Sequence, residues 1–281
     1  MRISIVMPTF NRCFTLPRAV DSIKSLTHKD WELIIVDDGS TDETGKVIQK
    51  YLSENIRCVK TSHLGTPRAW NLGVNESEQD YALLMGDDVV LEPACVHTLA
   101  KTVETVNKQM LGAIAPRLIY TRDPANPTSG KAFRRYASLQ ASTGDIAGSF
   151  NVEAQALMEV PILHGYSMVA REAFLDIGGF DEKTYSGNYY REETDLWLRF
   201  RKKGYRLYYE PRARIYCQKS LTRGGQWSNV HGKLLVYEYY VFRNHNNFLK
   251  KFYGGKRLFM LPTFMLRRLH TRLMEIRDSK S

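Results

Sequence analysis

Three pairs of adjacent carboxylates are placed where they could do chemistry: Asp37-Asp38, Asp87-Asp88 and Glu192-Glu193. The second pair interrupts an apolar run, LLMGDDVVL, where carboxylates are costly unless paired or bound to a metal. Held there, a divalent cation would neutralise charge developing on a phosphorylated leaving group. The first pair precedes Gly39-Ser40-Thr41-Asp42, which is good turn chemistry. One acid suffices to cap such a turn. The other is left to accept from donors such as a nucleobase N–H or ribose hydroxyls. The third pair opens REETDLWLR, in which Asp195 pairs with Arg199 one helical turn later. Glu193 instead shares a face with Leu196 and Phe200. A carboxylate at a helix N-terminus bordering a cleft suits a general base for a hydroxyl.

The segments that must hold these acids alternate strand and helix signals. Ile3–Met7 is an apolar run closed by Pro8, and Thr15-Leu16-Pro17 starts a helix with Val20, Ile23 and Leu26 on its apolar positions. Glu32–Val36 is a β-branched run, and Ser40-Thr41-Asp42-Glu43 reads as a capping box opening a helix to about Tyr51. Ile56–Lys60 is a third strand. Thr66-Pro67 starts a helix with Arg68 and Asn71 on one face, and Tyr81–Met85 is a fourth strand ending at the acids. This alternation predicts an α/β fold, a mostly parallel sheet with helices on both faces, whose ligands bind beyond the carboxyl ends of the strands. Pro8-Thr9-Phe10-Asn11-Arg12, Asp37-Asp38 and Asp87-Asp88 all fall at such ends, so one sheet edge gathers carboxylates.

The second half is less regular. Residues 120–160 read mainly as a long loop, Tyr166–Ala170 as a strand, and Arg171–Gly178 as a short helix stopped by Gly178-Gly179. Glu192–Lys203 is a helix with Leu196, Trp197 and Phe200 inward, and Tyr205–Tyr209 is a strand. His164-Gly165 reads as loop. The expected organisation is a ligand-binding half over 1–110, a second half of the same domain over 111–215, and a C-terminal extension over 216–281.

The 281 residues are 43% hydrophobic and 25% charged, an ordinary globular balance with ample material for a core. No run reaches the roughly 18 apolar residues that span a bilayer, and MRISIVMPTF reads as a strand rather than a leader. Cys13, Cys58, Cys95 and Cys217 lie far apart without a CxxC pair, which fits a reduced, cytoplasmic compartment and no zinc site. Of the net charge of +10, eight units fall between Tyr239 and Met274, where no acidic residue occurs. The last seven residues cancel, so residues 1–238 carry about +2.

PTFNR, VDDGSTDET, GTPRAWNLG, GDDVVL, GGFDE, EETDLWLR and GYRLYYEP occur in that order over residues 5–211. Together they resemble the signature blocks of family-2 inverting glycosyltransferases of GT-A fold, over about three-quarters of the chain. The resemblance implies transfer of a sugar from a nucleoside-diphosphate-sugar, a UDP-sugar first and dTDP- or GDP-sugars as alternatives, to a hydroxyl of a glycan or lipid-linked acceptor. It gives Asp38 a base-contacting role beside Asp37, with Pro8, Thr9 and Arg12 lining the same pocket, and sets Arg68 and Asn71 beside the nucleotide. The family's acidic triplet falls on Gly86-Asp87-Asp88, with glycine where the first acid stands. Asp88 is then the main ligand for Mn²⁺ or Mg²⁺, and Asp87 contacts ribose or a metal-bound water. Glu192-Glu193 matches the pair whose second member is the base, so Glu193 is favoured over Glu192. Gly179 and Asp181 are weaker candidates for the donor sugar. Arg223, in the loop SLTRGGQWSN, is placed to reach the diphosphate. Relatives often carry a histidine after the strand ending EP; here that region reads Ile215-Tyr216-Cys217-Gln218, and the nearest is His231.

The tail, FLKKFYGGKRLFMLPTFMLRRLHTRLMEIR, mixes basic pairs with aromatic and apolar residues. Two readings stand for it: a basic amphipathic segment lying on the inner face of an anionic membrane, or a helix packed on the body with its basic residues solvated. A nucleic-acid partner is disfavoured, since no recognised motif appears and the body is nearly neutral. A relative that binds nucleotide-sugar without transfer is the remaining alternative. Nothing in the sequence specifies an oligomeric state.

Overall fold

A computed structural model of the chain describes residues 1–121, 132–218 and 234–278. The first half follows the expected alternation: β1 (Ile3–Thr9), α1 (Leu16–Lys24), β2 (Trp31–Asp37), α2 (Thr44–Gln49), β3 (Ile56–Lys60), α3 (Thr66–Glu76) and β4 (Tyr81–Leu84). Next come β5 (Val89–Leu91), α4 (Cys95–Thr105) and β6 (Leu111–Thr121). Short strands β7 (Ser138–Leu139), β8 (Ile146–Ala147) and β9 (Met158–Glu159) precede β10 (Met168–Ala170) and α5 (Arg171–Asp176). The chain then forms α6 (Glu192–Lys202), β11 (Arg206–Gln218), α7 (Leu234–Tyr253) and α8 (Arg257–Asp278).

The main sheet runs β3-β2-β1-β4-β10-β6-β11-β5, with β9 also on β11. Strands β3, β2, β1 and β4 are parallel, as are β6 and β11. β10 runs antiparallel between β4 and β6, and β5 and β9 antiparallel to β11. Helices cover both faces. Val20, Ile23, Leu99 and Val103 of α1 and α4 pack on one, and Trp70, Val74, Phe174 and Trp197 of α3, α5 and α6 on the other. Strands buried on both faces need continuous apolar runs, which is why β2 reads WELIIVD. Residues on either side of position 110 share this one sheet, because β6 and β11 join it beyond β10.

Several elements depart from expectation. The capping box does not form: α2 starts at Thr44, and Asp42 accepts its N–H at 2.9 Å. The reason lies at the end of β1, where Asn11 Oδ1 accepts the N–H groups of Thr41 and Asp42 and holds the segment as a turn. LLMGDDVVL is two strands, since β4 ends at Leu84 while Val89–Leu91 pairs with β11 at the other sheet edge. β11 runs on past Tyr209 to Gln218, with a register shift between Glu210 and Arg214. Phe248, Leu249 and Met260 of α7 and α8 pack against Tyr185 of the body, and Glu238 pairs with Arg268 and Arg272 to tie the two helices together. Among the described residues, no helix is long and apolar enough to cross a membrane.

Candidate active site

At the carboxyl edge, Thr9 ends β1 in register with Asp37 and donates its Oγ1 to Asp87 Oδ2 at 2.7 Å. One side chain thus ties the end of β1 to the turn that follows β4. Pro8, Thr9, Arg12, Asp38, Asp87 and Asp88 line one cleft, as expected. Phe10, at the same strand end, lines it too, as do His63, Trp70, Tyr166 and Tyr189, which sequence reasoning missed. Phe10 and His63 stack at 4.2 Å between ring centroids, which offers an aromatic shelf at the cleft wall.

The Asp87 carboxyl is pushed up to about 7, chiefly by burial and in part by Asp88, against the opposing charge of Arg12. Asp88 is raised as well; burial drives it, while Arg12 and a hydrogen bond from Tyr166 oppose it. Arg12 Nε lies 3.7 Å from Asp87 Oδ1, and its buried Nη1 has no hydrogen-bond partner. Gly86 makes this packing possible. A Cβ there would stand 2.8 Å from Asp88 Oδ1 and 2.9 Å from the Tyr166 ring. Tyr166 therefore fills the space beside Asp88 that a side chain at position 86 would claim. Hard oxygen donors of this kind suit Mg²⁺ or Mn²⁺. No cluster of three or more His, Cys, Asp or Glu forms a cage among the described residues. The residues present fit an ion that takes its remaining ligands from phosphate and water. Both oxygens of Asp87 face partners, Thr9 on one and Arg12 on the other.

Glu192 and Glu193 open α6 directly after Arg191, whose backbone is left-handed at φ 85°. Arg191 is buried, donating Nε to His245 of α7 at 3.1 Å and Nη2 to Asp145 at 2.5 Å, so the C-terminal helices help set where α6 begins. Burial raises Glu193 to about 7, opposed by a backbone hydrogen bond from Gly165. Glu192 is pushed well above its ordinary value by burial and by Glu193. The approach to Gly165 is close: a Cβ there would lie 2.1 Å from Glu193 Oε1. Gly165 thus reads as more than loop. The Tyr166 phenol, raised by burial, also feels the negative charges of both Asp88 and Glu193. The neighbouring Tyr120 feels the same two carboxylates. These tyrosines place the acid pair and the α6 carboxylate around one space.

Other candidates are engaged elsewhere. Asp38 Oδ1 accepts from Thr61 Oγ1 and the Leu64 N–H, and Oδ2 from the Gly65 N–H at 2.8 Å, so its first job is to order residues 61–65. Asp37 accepts the Ser40 N–H at 3.0 Å. Arg68 and Asn71 do share a face, but it is turned to the segment after α5 and is not part of the cleft lining. Asn71 exchanges hydrogen bonds with the Phe180 backbone and donates to Glu182, which also pairs with Arg68 at 3.5 Å. Gly179 packs on the Asn71 amide, and Asp181 binds Lys251 and Thr184. Asp195 pairs with Arg199 as expected, and also with Lys251 and Tyr185. His164 is buried, with Nε2 2.8 Å from the Pro116 carbonyl oxygen, and burial lowers it to about 4. Arg223 and His231 lie outside the described residues.

A mostly parallel sheet with an acid-lined cleft at its carboxyl edge, and a carboxylate pair on a facing helix, defines an α/β protein of GT-A type. Residues 4–166 match the model for glycosyl transferase family 2, and the chain belongs to that family. Over 232 residues it is 23% identical to the poly-beta-1,6-N-acetyl-D-glucosamine synthase of Staphylococcus aureus, covering 80% of this chain and 52% of that protein. It is 29% identical over 104 residues to the glycosyltransferase GlyA of Streptococcus pneumoniae, covering 36% of this chain and 15% of that protein. The chain spans about half the length, or less, of these curated relatives. Two solved structures share the fold. S. aureus TarS 1-349 in complex with UDP-GlcNAc superposes with a TM-score of 0.62 at 16% identity, over 94% of this chain and 72% of that one. GalNAc-T7 with UDP, GalNAc and Mn²⁺ gives 0.64 at 17% identity, over 78% and 44%.

Proposed function

We propose that the chain transfers a sugar from a UDP-sugar to a hydroxyl of a glycan or lipid-linked acceptor, with inversion at the anomeric carbon. The observation that carries this reading is the pair of desolvated carboxyls, Asp88 and Glu193, set on two elements around the Tyr166 phenol. The family and the nucleotide-sugar complex of a structural neighbour support the donor class.

In this reading the nucleoside lies over Pro8 and Thr9 against the Phe10–His63 shelf. The unpartnered Nη1 of Arg12 donates to an anionic oxygen of the donor. When bound, a divalent cation supplies charge neutralisation to the departing diphosphate, and the residues that would hold it are Asp88 and, beside it, Asp87. Glu193, whose carboxyl burial raises, accepts in its ionised form the proton of the acceptor hydroxyl. The hydroxyl oxygen bonds to the anomeric carbon from the face opposite the diphosphate, which leaves with the electron pair of the broken C–O bond. Gly165 holds the Glu193 carboxylate in place through its backbone N–H.

The test is a thermal-shift screen of UDP-, dTDP- and GDP-sugars with and without Mn²⁺, followed by donor hydrolysis and transfer by wild type, Glu193→Gln and Asp88→Asn. A bound nucleotide-sugar stabilises the fold by RT ln(1 + [L]/Kd) and so raises the melting temperature. Turnover confined to the wild type supports the reading. Equal turnover in all three proteins refutes the assignment, and binding without turnover by the wild type makes the chain an idle relative.

A further inference from the structure

Helix α8 is apolar on two opposite faces. Met260 and Phe264 are buried against the body at 4% and 2% exposure. At 3.6 residues per turn, Leu258, Phe259, Met265, Leu266, Leu269 and Leu273 fall in one stripe about a third of the circumference wide on the other side. These side chains are not grazing the surface: Phe259 is 81% exposed, Leu266 70% and Leu258 67%. Pro262 lies in the same stripe and no charged residue does. Along the axis it runs about 22 Å. The Glu238–Arg272 ion pair brings Leu235 of α7, 86% exposed, and Tyr239, 60% exposed, level with its Leu273 end. Ten of the eighteen large hydrophobic residues exposed among those described lie between Leu234 and Leu273, which marks a continuous patch rather than scattered side chains.

Charge decides the occupant. Arg272 borders the stripe on one side and His270 on the other, while Lys250 and Lys256 are exposed near the turn that joins α7 to α8. Of the eight basic residues between Tyr239 and Met274, Lys251 pairs with Asp181 and Asp195, and Arg268 and Arg272 pair with Glu238; Arg243, Lys250, Lys256, Arg257 and Arg267 supply positive charge that no acid of the described residues offsets by an ion pair. A second copy would bring two such positive surfaces together. An anionic bilayer accepts both parts at once, taking the apolar stripe into the acyl boundary and the flanking cations at the headgroups. We infer that the outer face of the α7–α8 pair is a docking surface for anionic membrane, with α8 lying in the plane of the interface. This surface stands apart from the cleft and does not depend on the proposed reaction.

The test is flotation of the full chain with phosphatidylcholine vesicles, with and without phosphatidylglycerol, and sedimentation equilibrium in the absence of lipid. The expected result is binding to the anionic vesicles alone. It should weaken about tenfold or more in Leu266→Glu/Leu269→Glu and about fivefold per charge in Lys250→Gln and Lys256→Gln. Circular-dichroism melting checks the variants; should the double variant melt early, Phe259→Ser probes the other end of the stripe and is expected to weaken binding in the same direction. Absence of vesicle binding, equal binding to neutral vesicles, or unchanged binding by folded stripe variants overturns the inference. A wild-type dimer that the glutamates dissolve, without vesicle binding, also overturns it and makes the stripe an interface between copies.

Discussion

Asp37-Asp38 and Asp87-Asp88 end β2 and β4 on the same sheet edge, with only β1 between them. In the first pair, Asp38 accepts three hydrogen bonds from the 61–65 segment and Asp37 caps the turn at Ser40. In the second pair, Thr9 and a long contact to Arg12 serve Asp87, while Asp88 receives the Tyr166 hydroxyl, and burial still raises both carboxyls. The two pairs look alike in sequence and differ in what the backbone offers them. A carboxylate that accepts several N–H groups is already stabilised and acts as scaffold, whereas one desolvated with few donors retains an unmet demand for positive charge that a ligand can supply. Glu193 belongs to the second kind, with one backbone donor against the burial that raises its carboxyl.

The largest expected effect tests that grouping at Glu193. Glu193→Gln should lower kcat by about 10²–10⁴ with donor binding retained, whereas Glu192→Gln should cost less; steady-state kinetics and calorimetric UDP titration separate the two. Asp88→Asn and Asp38→Asn should then cross. The first should cut turnover by about a hundredfold or more with little change in melting temperature. The second should destabilise the fold by about 2–3 kcal/mol, since an amide NH₂ would face N–H donors. If both variants lose turnover and neither loses stability, the contrast between the pairs collapses.

A pH series sharpens it further. As the proposed base, Glu193 would act as a carboxylate, so kcat/KM should rise with pH toward about 7 and level off above, and this limb should vanish in Glu193→Gln. Because the folded-state value lies above the ordinary 4.5, the stabilisation from protonated Glu193 is complete below about 4.5 and is lost as pH rises through about 7. Glu193→Gln should therefore gain in melting temperature relative to wild type between pH 5 and 8. The smallest effect concerns the packing beside Asp88. Gly86→Ala should destabilise by about 1–3 kcal/mol and weaken Mn²⁺-dependent UDP binding, and shortening Tyr166 to Ala in the same chain should relieve part of the loss.

Strands β1 to β4 were legible because each is a short apolar run closed by a turn or helix signal. β6 was not, because LGAIAPRLIYT is buried along nearly its whole length and shows no period of two. The cleft residues Pro8, Thr9, Arg12, Asp38, Asp87 and Asp88 were legible through the rule that places ligands at strand ends. Tyr166 was visible only as the start of a strand. The rule looks to carboxyl ends, and β10 runs antiparallel, so it is the segment preceding β10 that lies at this edge. Helical spacing showed that Asn71 shares a face with Arg68 without showing what that face meets, which is Glu182 and the segment after α5.

Sequence alone determined the alternating α/β order, the acidic strand ends, the Glu192-Glu193 helix start and the basic tail, since these follow from local propensity and residue type. Tertiary structure decided which acids are scaffold and which are left desolvated, because that depends on N–H donors brought from residues 61–65 and on burial under Tyr166. It also decided that Gly165 abuts Glu193, that Gly86 makes room for Tyr166, and that α8 turns one apolar face to the body and the other outward. These are relations between segments distant along the chain, set by packing that no local window contains.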